Sequence, residues 1–359
     1  MTETIFSTTP RRERAVFPAF RGFTTRAVTA AALASAAVVT WNLAAVTCAR
    51  AAEGAAPKRI ISLAPAITET LFALGLGARV VGVSTYCDYP PDAAALPKVG
   101  TFTEPVAEVI VALHPDLVLT SPSPGNETAV RAIERTGVRV AVVQSEGAIA
   151  EARSAMLDIA RNVGAIDEGN RLVAELDARL AALKARARDL PHLRAAVVIG
   201  REPLVLAGPA SYLGELVELA GGVNVAAAIG GRWPRVGMEF LVAARPDVLI
   251  DLTSAMGGAL KETAAARTSE TAKNSEAAET DATAQNPAAS WLELGSVPAV
   301  ANGRIITERD SMMLRPGPRM ADAADTLFAA LHPALRSDAA TMPGTSAPVP
   351  DASGDTAGR

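Results

Sequence analysis

This chain of 359 residues has only three histidines and two cysteines, two of the residue types that most often bind metals. Its three histidines, His114, His192 and His332, lie far apart in the chain, and no pair of them has metal-ligand spacing. The sequence also has no glycine-rich phosphate loop and no nucleophile elbow. We therefore predict neither a metal site nor an enzyme. The only acid–base pair that we can propose is Asp88 with Glu104, in the segments at 86–91 and 100–105.

Positive charge is not in excess either, since 34 Lys and Arg stand against 38 Asp and Glu and the net charge is −4. This balance argues against nucleic-acid binding, which needs a basic surface. Residues 27–46 have no charge at all and follow five arginines, and Ala49-Arg50-Ala51 offers a small-residue cleavage site. The pattern predicts a cleaved signal peptide at 1–51 and an exported, periplasmic protein. The alternative is a membrane anchor, through an uncleaved leader or a lipid.

Cysteine is limited to Cys48, inside this leader, and Cys87. Cleavage leaves Cys87 alone, which excludes an intramolecular disulfide. A single cysteine in an exported protein is either buried or reactive, and we expect Cys87 to be buried.

The strongest periodic signal in the chain is a long amphipathic helix at 167–191. Apolar residues at three- and four-residue spacing mark one face of it: Leu172, Leu176, Leu180, Leu183, Ala187 and Leu190. Asp167 is the expected N-terminal cap, and Pro191 is expected to end the helix because proline lacks the N–H group. At 1.5 Å per residue such a helix spans roughly 35 Å, about the height of a small domain.

A repeat lies on either side of this helix. The segment EVIVALHPDLVL at 108–119 matches EFLVAARPDVLI at 239–250, and an aromatic residue, Phe102 or Trp233, stands six residues before each glutamate. Each copy predicts a loop with an aromatic residue, a short helix, and a buried strand after Pro-Asp. Copies about 130 residues apart are too distant for a solenoid, so they indicate two similar lobes. Chance similarity between two apolar-rich segments is the alternative explanation.

The rest of the chain alternates short strands with short helices, which is typical of α/β proteins with mainly parallel sheets. We therefore predict two α/β lobes with mainly parallel sheets, joined by the long rigid helix, with a ligand cleft between the lobes. Residues 254–290 and 337–359 are almost free of large apolar side chains and are predicted to be disordered. The predicted divisions are a signal peptide at 1–51, a linker at 52–57, lobes at 58–166 and 192–336, the helix at 167–191, an insertion at 254–290 and a tail at 337–359.

Ligands of open α/β sheets bind at the carboxyl ends of the strands, in the connecting loops. Four aromatic side chains fall in these loops, although aromatics make up only 4% of the chain: Tyr86, Tyr89, Phe102 and Trp233. Together they suit a large, flat, partly apolar ligand, whereas each one singly is as compatible with core packing. The last such loop carries Met312, Met313 and Arg315. Arg315, like Arg319 after it, either binds an acidic or amide group of a ligand or caps the final helix.

Glu108 and Glu239 occupy equivalent positions at the start of the short helix of each repeat. The simpler explanation is local, since a helix N-terminus favours an anion. The alternative is a pair of docking points for a two-fold symmetric partner with basic pockets, because rim charges of this kind set orientation.

The most specific motifs are RIISLAPAITETLFALG at 59–75, GVSTYCDYPP at 82–91, VGTF at 99–102, RWPRVGMEFL at 232–241 and the two repeats. Through these motifs the chain resembles the periplasmic substrate-binding proteins of the ABC importers for vitamin B12, haem and iron-siderophores. The resemblance covers residues 58–333 without the insertion. It is greatest to the cobalamin-binding proteins, because of the S-x-x-x-D-Y-P-P loop and the W-P-x-V segment.

The resemblance implies two Rossmann-like lobes that close only modestly, in a monomer that captures a corrinoid as its ligand and has no resident cofactor. It implies delivery to a dimeric ABC permease in the inner membrane, whose arginines meet Glu108 and Glu239. The residues that it places around the ligand are Tyr86, Phe102, Val205, Trp233 and the loop from Met312 to Arg315. The chain departs from the family at Phe102, where a tryptophan is usual, and at Val205, Met312 and Met313, where aromatics are usual. Methionine still covers a corrin or porphyrin face.

Other ligands and functions stay open at this point. Haem would need an axial histidine or tyrosine in the cleft, for which Tyr86 and Tyr89 are the candidates. A ferric siderophore would need several arginines, for which Arg315, Arg232 and Arg235 are available. A sensor or an enzyme on the same fold is the alternative from another functional class.

Overall fold

The computed structural model describes residues 56–123, 125–145, 147–255 and 289–335. The predicted signal peptide, most of the predicted insertion and the predicted tail lie outside the described residues. Within the described ranges, no helix is long and apolar enough to cross a membrane.

The N-terminal lobe contains one parallel sheet. Its strands are β1 (Ile60–Ser62), β2 (Val80–Val83), β3 (Leu117–Thr120) and β4 (Arg139–Val142). The helices between them are α1 (Pro65–Ala73), α2 (Pro91–Ala94), α3 (Ala107–Ala112) and α4 (Glu127–Arg135). The four strands pair in the order β2-β1-β3-β4, all parallel, which confirms the arrangement predicted from the alternation of strands and helices.

Both faces of this sheet are buried along β1, β2 and β3, and successive side chains of each strand point to opposite faces. Ile60 packs with Leu117 on the face covered by α1. Ile61, the next residue, packs on the other face with Ile110 of α3 and Ile133 of α4. A sheet covered on both sides needs consecutive apolar residues, which explains the unbroken apolar runs of these strands.

Two long helices follow, α5 (Ile149–Val163) and α6 (Ile166–Ala187). The helix predicted at 167–191 is thus confirmed as α6, with boundaries that differ by a few residues. Asp167 is not the cap but lies in the first turn, where its negative charge interacts favourably with the helix dipole. The residue before the helix is Ala165, which makes no side-chain cap. The chain turns at Gly164, whose left-handed φ of 72° ends α5 and leaves almost no linker before α6.

The α5 helix belongs to both lobes, which the predicted division at residue 166 did not anticipate. Ile149 and Met156 from its first half pack in the core of the C-terminal lobe. Ile159 and Val163 from its last turns pack in the core of the N-terminal lobe. The lobes are therefore joined by a helix pair and not by α6 alone. Because both cores include α5, a change in the angle between the lobes would disturb packed side chains.

The C-terminal lobe contains a six-stranded mixed sheet. Its strands are β5 (Leu193–Arg201), β6 (Leu204–Leu206), β7 (Gly222–Asn224), β8 (Arg235–Val236), β9 (Val248–Asp251) and β10 (Ile305–Thr307). Its helices are α7 (Tyr212–Leu219), α8 (Met238–Ala244), α9 (Pro298–Ala301) and α10 (Met320–Leu331). The order is β10-β9-β5-β6-β8, with β7 beside β5, and β6 is antiparallel to both of its neighbours. The antiparallel part comes from the tight β5–β6 hairpin, since a short turn permits no parallel pairing.

The two copies of the repeat share backbone conformation as well as sequence. His114 and Arg245, which the alignment of the two copies pairs, both have φ of 46°, a rare value for residues other than glycine. The aspartate of each Pro-Asp pair accepts backbone hydrogen bonds at the start of the central strand of its own lobe. Asp116 accepts them from Lys58 and Arg59 at 2.8 and 2.9 Å, and Asp247 accepts one from Arg194 at 2.9 Å. The copies are therefore structurally equivalent, and chance similarity is excluded.

The equivalence extends to Arg59 and Arg194, which the sequence comparison did not include. Arg59 donates to the carbonyl of Leu113 at 2.7 Å, and Arg194 donates to that of Ala244 at 2.8 Å. In both lobes an arginine at the start of the central strand thus binds a carbonyl at the end of α3 or α8, where unpaired carbonyls favour a cation.

We expect Asp116→Asn to lower stability at neutral pH and to make stability less sensitive to acid. Hydrogen bonds from the backbone of Lys58 and Arg59 hold the pKa of Asp116 below its usual value. A carboxyl group with a lowered pKa stabilises the fold above its unfolded-state pKa, about 3.9, and loses this contribution as the pH falls through the folded-state pKa. Denaturant unfolding at pH 7 and pH 3 checks this, because the difference between wild type and variant should shrink at pH 3. An equal difference at both pH values would contradict the assignment.

Candidate ligand-binding site

The two lobes meet through loops at the carboxyl ends of their strands. Arg315, in the loop after β10, donates hydrogen bonds to Asp88 and to the carbonyl of Tyr86, in the loop after β2. Glu69 of α1 joins the same contact. Loops that the sequence assigned to ligand binding therefore lie side by side across the lobe boundary.

The loop after β2 is held in place at its middle residue. Cys87 is fully buried, as predicted, and its sulfur lies 3.0 Å from the hydroxyl of Thr68 and 3.2 Å from that of Ser84. Burial raises the pKa of the Cys87 thiol, although the hydrogen bonds from Ser84 and Thr68 oppose the change. Lys98 donates to the carbonyl of Cys87 at 2.8 Å. The thiol is thus protonated at neutral pH and serves to orient its neighbours Tyr86 and Asp88.

Tyr86 and Phe102 form an aromatic pair on the N-terminal lobe. Their ring centroids lie 5.7 Å apart at an angle of 58°, and Phe102 is 37% exposed. The backbone of Thr85 donates to the carbonyl of Gly100 at 2.9 Å, which brings the two loops together. Gly100 has φ of 98°, and a Cβ atom there would lie 2.6 Å from the carbonyl of Glu104, so only glycine fits the turn.

Trp233 belongs to a second aromatic pair, on the C-terminal lobe. Its ring meets that of Tyr212 edge to face, with centroids 6.4 Å apart. Tyr212 is buried at the start of α7 and donates to the carbonyl of Met313 at 2.7 Å, which fixes its ring. A Cβ atom on Gly208 would lie 2.3 Å from the carbonyl of Gly231, so glycine is required for the Trp233 loop to approach this closely.

Tyr89 is 43% exposed and is stacked on an arginine of the opposite lobe. The guanidinium carbon of Arg319 lies 3.9 Å from the centroid of the Tyr89 ring. This cation–π contact orients the tyrosine while leaving much of the ring accessible.

Arg315 is in a different situation from the one that the sequence suggested. It is only 7% exposed, and its guanidinium binds Asp88 through both carboxylate oxygens, at 2.5 and 3.0 Å. Further hydrogen bonds run to Glu69 and to the carbonyl of Tyr86, both at 3.1 Å. Burial alone would lower the pKa of Arg315, but Asp88 and Glu69 outweigh it and raise that pKa. Arg315 is thus a charged link between the lobes, which the sequence did not predict.

The remaining predicted ligand residues are divided between the surface and the core. Met313 has no exposed surface, because the turn at Ser311–Leu314 directs its side chain into the core of the C-terminal lobe. A fully buried side chain cannot contact a ligand, so this predicted contact is not made in the structure. Met312 and Val205 are partly exposed.

One member of the candidate acid–base pair, Asp88, is bound by an arginine in the structure. Both carboxylate oxygens of Asp88 accept hydrogen bonds from Arg315, so Asp88 is not available as a free base. His192 and His332 bind the carbonyls of Gly221 and Ala220, at the opposite end of α7 from Tyr212. Across 56–255, apart from 124 and 146, and across 289–335, no cluster of three His, Cys, Asp or Glu side chains is suited to a metal ion.

Comparison with known proteins identifies the family. The sequence profile of the periplasmic binding proteins matches residues 60–311, which is more than half of the chain. The chain belongs to the periplasmic binding protein family. The vitamin B12-binding protein of Vibrio parahaemolyticus is 28% identical over 199 residues, which cover 55% of this chain and 72% of that protein. The vitamin B12-binding protein of Salmonella paratyphi A is 33% identical over 196 residues, with the same coverage of 55% and 72%.

Solved structures of this family have the same architecture. A periplasmic heme-binding protein from Roseiflexus sp. RS-1, solved in its apo form, superposes with a TM-score of 0.62 at 28% identity. The superposition covers 77% of this chain and 98% of that one. The two-lobed α/β fold predicted for this periplasmic binding protein is thereby confirmed.

The two glutamates of the repeat are exposed in this periplasmic binding protein. Glu108 lies in the first turn of α3 and Glu239 in the first turn of α8. Exposed apolar side chains lie beside each of them, with exposed fractions between 39% and 43%: Val106, Val109, Met238 and Val242. Each lobe thus presents a carboxylate beside apolar side chains on equivalent helices.

Sequence reasoning missed two residues that shape the site, and it missed the contacts of a third. Tyr212 was assigned only to a helix, although it is one of just three tyrosines in the chain, and that scarcity was a usable signal. Glu69 lies inside the recognised motif at 59–75, but nothing in its local pattern shows that it binds arginines from the other lobe. Arg319 was predicted to bind a ligand group or to cap the final helix, whereas its contacts with Tyr89 and Glu69 of the other lobe depend on tertiary structure.

Proposed function

We propose that this periplasmic binding protein captures cobalamin or a related corrinoid and delivers it to an ABC importer. The observation that carries the proposal is the pair of aromatic contacts, Tyr86 with Phe102 on one lobe and Trp233 with Tyr212 on the other. Rigid rings at the strand-end loops of both lobes suit a broad, flat ligand, since aromatics supply contact area with little rotamer entropy to lose. The B12-binding relatives support the choice of ligand.

The proposed ligand contacts are Tyr86, Tyr89, Phe102, Val205, Trp233 and Met312. Isothermal titration calorimetry with cyanocobalamin tests this proposal. We expect a dissociation constant in the micromolar range or tighter, and a shift in the visible absorption of the corrinoid. Absence of both heat and spectral change would overturn cobalamin as the ligand.

Haem is the second candidate, because the heme-binding protein of Roseiflexus shares the fold at 28% identity. Tyr86 and Tyr89 are the side chains available as axial ligands. Titration with haemin in the same cell separates the two candidates, since tyrosine ligation would change the absorption of the haem and would be lost on substitution of the ligating tyrosine by Phe.

We further propose that Glu108 and Glu239 dock onto basic pockets of a dimeric permease, with the neighbouring apolar side chains packing around each ion pair. The double variant Glu108→Ala/Glu239→Ala should bind ligand as the wild type does, because both glutamates are exposed and lie outside the aromatic pairs. Its ligand uptake in cells carrying the importer should fall at least about tenfold, because interface charges of this kind set encounter and orientation.

The matched control is Glu175→Ala/Glu218→Ala, which removes two exposed helical glutamates from α6 and α7. Uptake by the control should equal that of the wild type. Equal uptake by the docking variant and the control would contradict the docking proposal.

A further inference from the structure

A group of four charged side chains, whose formal charges cancel, links the lobes beside the aromatic loops, and the carboxylate of Asp310 lies 3.9 Å from Arg319 at its edge. Arg319 donates to both carboxylate oxygens of Glu69, at 2.8 and 2.6 Å, and Arg315 donates to Glu69 at 3.1 Å. Arg315 also forms the two-bonded pair with Asp88. We call these residues, Glu69, Asp88, Arg315 and Arg319, the charge cluster.

The charge cluster is largely withdrawn from water. The side chain of Glu69 is 2% exposed, that of Arg315 8% and that of Arg319 13%, whereas Asp88 is 57% exposed. The N–H groups of Arg315 and Arg319 therefore donate to Glu69 and Asp88, and these donors are not free to bind a ligand. A ligand carboxylate that displaced Glu69 would leave a buried carboxylate unpaired, which is strongly unfavourable.

The surrounding loops do not restore a positive charge. The strand-end loops at 86–91, 100–105, 200–208, 230–237 and 310–318 together hold four acidic residues and four arginines. One of these arginines, Arg201, is paired with Asp251, which is fully buried. An anionic ligand would enter a site without an excess of cations, and an ionised group removed from water needs a partner.

We propose that Glu69 and Asp88 set the charge preference of the site, so that it selects a flat ligand with uncharged amide side groups over one with ionised carboxylates. This inference rests on the proposed function and specifies its ligand class. Amides need hydrogen-bond partners but no counter-charge, so a neutral charge cluster accommodates them. The same cluster disfavours haem propionates and acidic siderophores.

Two corrinoids that differ in charge but share the corrin ring test the proposal directly. Dicyanocobinamide carries amides around the ring, whereas dicyanocobyrinic acid carries carboxylates at the same positions. We expect the wild type to bind the amide form at least about 30-fold more tightly, because each unpaired carboxylate loses hydration without gaining a cation.

Asp88→Asn should reduce this preference about tenfold by releasing part of Arg315, mainly through tighter binding of the carboxylate form. Asp88 is more than half exposed, so the variant is expected to fold, and circular dichroism checks this. Glu69→Gln is the second variant and should change the preference in the same direction. The matched control is Asp92→Asn, which removes an exposed charge four residues away without releasing an arginine and should leave the preference unchanged.

The outcomes are distinguishable. If the wild type binds neither corrinoid, the proposed function fails, and the inference fails with it. If it binds both equally, or if Asp88→Asn and Asp92→Asn give the same ratio of dissociation constants, the proposed function stands and the charge preference is overturned.

Discussion

Trp233→Ala is expected to weaken cyanocobalamin binding by at least about 100-fold. Trp233 is the largest aromatic side chain in the strand-end loops, and Tyr212 holds its ring at a fixed angle. Aromatic anchors at the centre of a binding site contribute roughly 2–4 kcal/mol on truncation, and every 1.4 kcal/mol corresponds to about a factor of ten. Isothermal titration calorimetry on wild type and variant measures the effect.

Two further variants make the test of Trp233 specific. Trp233→Phe keeps a ring against Tyr212 and should lose less than about tenfold in affinity, since most of the apolar contact persists. Tyr212→Phe removes only the hydroxyl that donates to Met313 and should produce a smaller loss, through a less firmly held Trp233. Wild-type affinity in Trp233→Ala would exclude this tryptophan from the ligand site.

Asp251→Ala is expected to destabilise the protein by about 3–5 kcal/mol, the range for removing one partner of a buried charge pair. Asp251 is fully buried at the end of β9 and forms an ion pair with Arg201. Its carboxylate also accepts hydrogen bonds from the indole of Trp291 at 2.8 Å and from the hydroxyl of Thr253 at 2.6 Å. The variant would leave the indole N–H and the arginine without this acceptor.

Denaturant unfolding with wild type, Asp251→Ala and Asp251→Asn measures this loss. The asparagine retains one acceptor oxygen, so its loss should be smaller than that of the alanine. Asp158→Ala serves as control, because its pair with Arg161 lies on the surface and contributes at most about 1 kcal/mol. A loss in Asp251→Ala no larger than in Asp158→Ala would show that the buried pair contributes little.

The same carboxylate explains how the C-terminal lobe accommodates the long segment between β9 and β10. Thr253 precedes residues 256–288 and Trp291 follows them, and both bind Asp251. The chain therefore leaves the sheet and returns to it at one point. The pairing of β9 with β10 is undisturbed, with Leu249 opposite Ile305.

Local patterns carried most of the fold prediction. The spacing of Leu176, Leu180 and Leu183 identified α6, and all three are buried as that spacing requires. The two Pro-Asp repeats identified equivalent lobes, because a turn, a strand start and a helix end each leave a signature within a few residues. Arg179 shows where local reasoning fails. Its position four residues after Glu175 on the same helix favours an ion pair between the two, but Arg179 binds Asp322 and Asp325 of α10 instead.

Part of the candidate site was also accessible from the sequence. The strand-end loops, with Tyr86, Phe102 and Trp233, were found because such loops follow buried strands and aromatics are scarce in the chain. The states of Met313 and Arg315 were not accessible. Met313 lies in the turn and points into the core, whereas Arg315, two positions later, contacts Glu69 of α1 across the lobe boundary. The direction of each side chain depends on how the loop packs.

The sequence by itself determined the α/β class and the duplication into two lobes, and it predicted the loops of the candidate site, because these features depend on periodicity and short motifs. Only the tertiary structure decided that α5 contributes to both cores and that Arg315 is neutralised by Asp88 and Glu69, 227 and 246 residues away in the chain. Contacts between residues so distant in sequence leave no local pattern. They arise when the loops of two separate sheets come together, and we propose that in this protein they determine which charges a ligand meets.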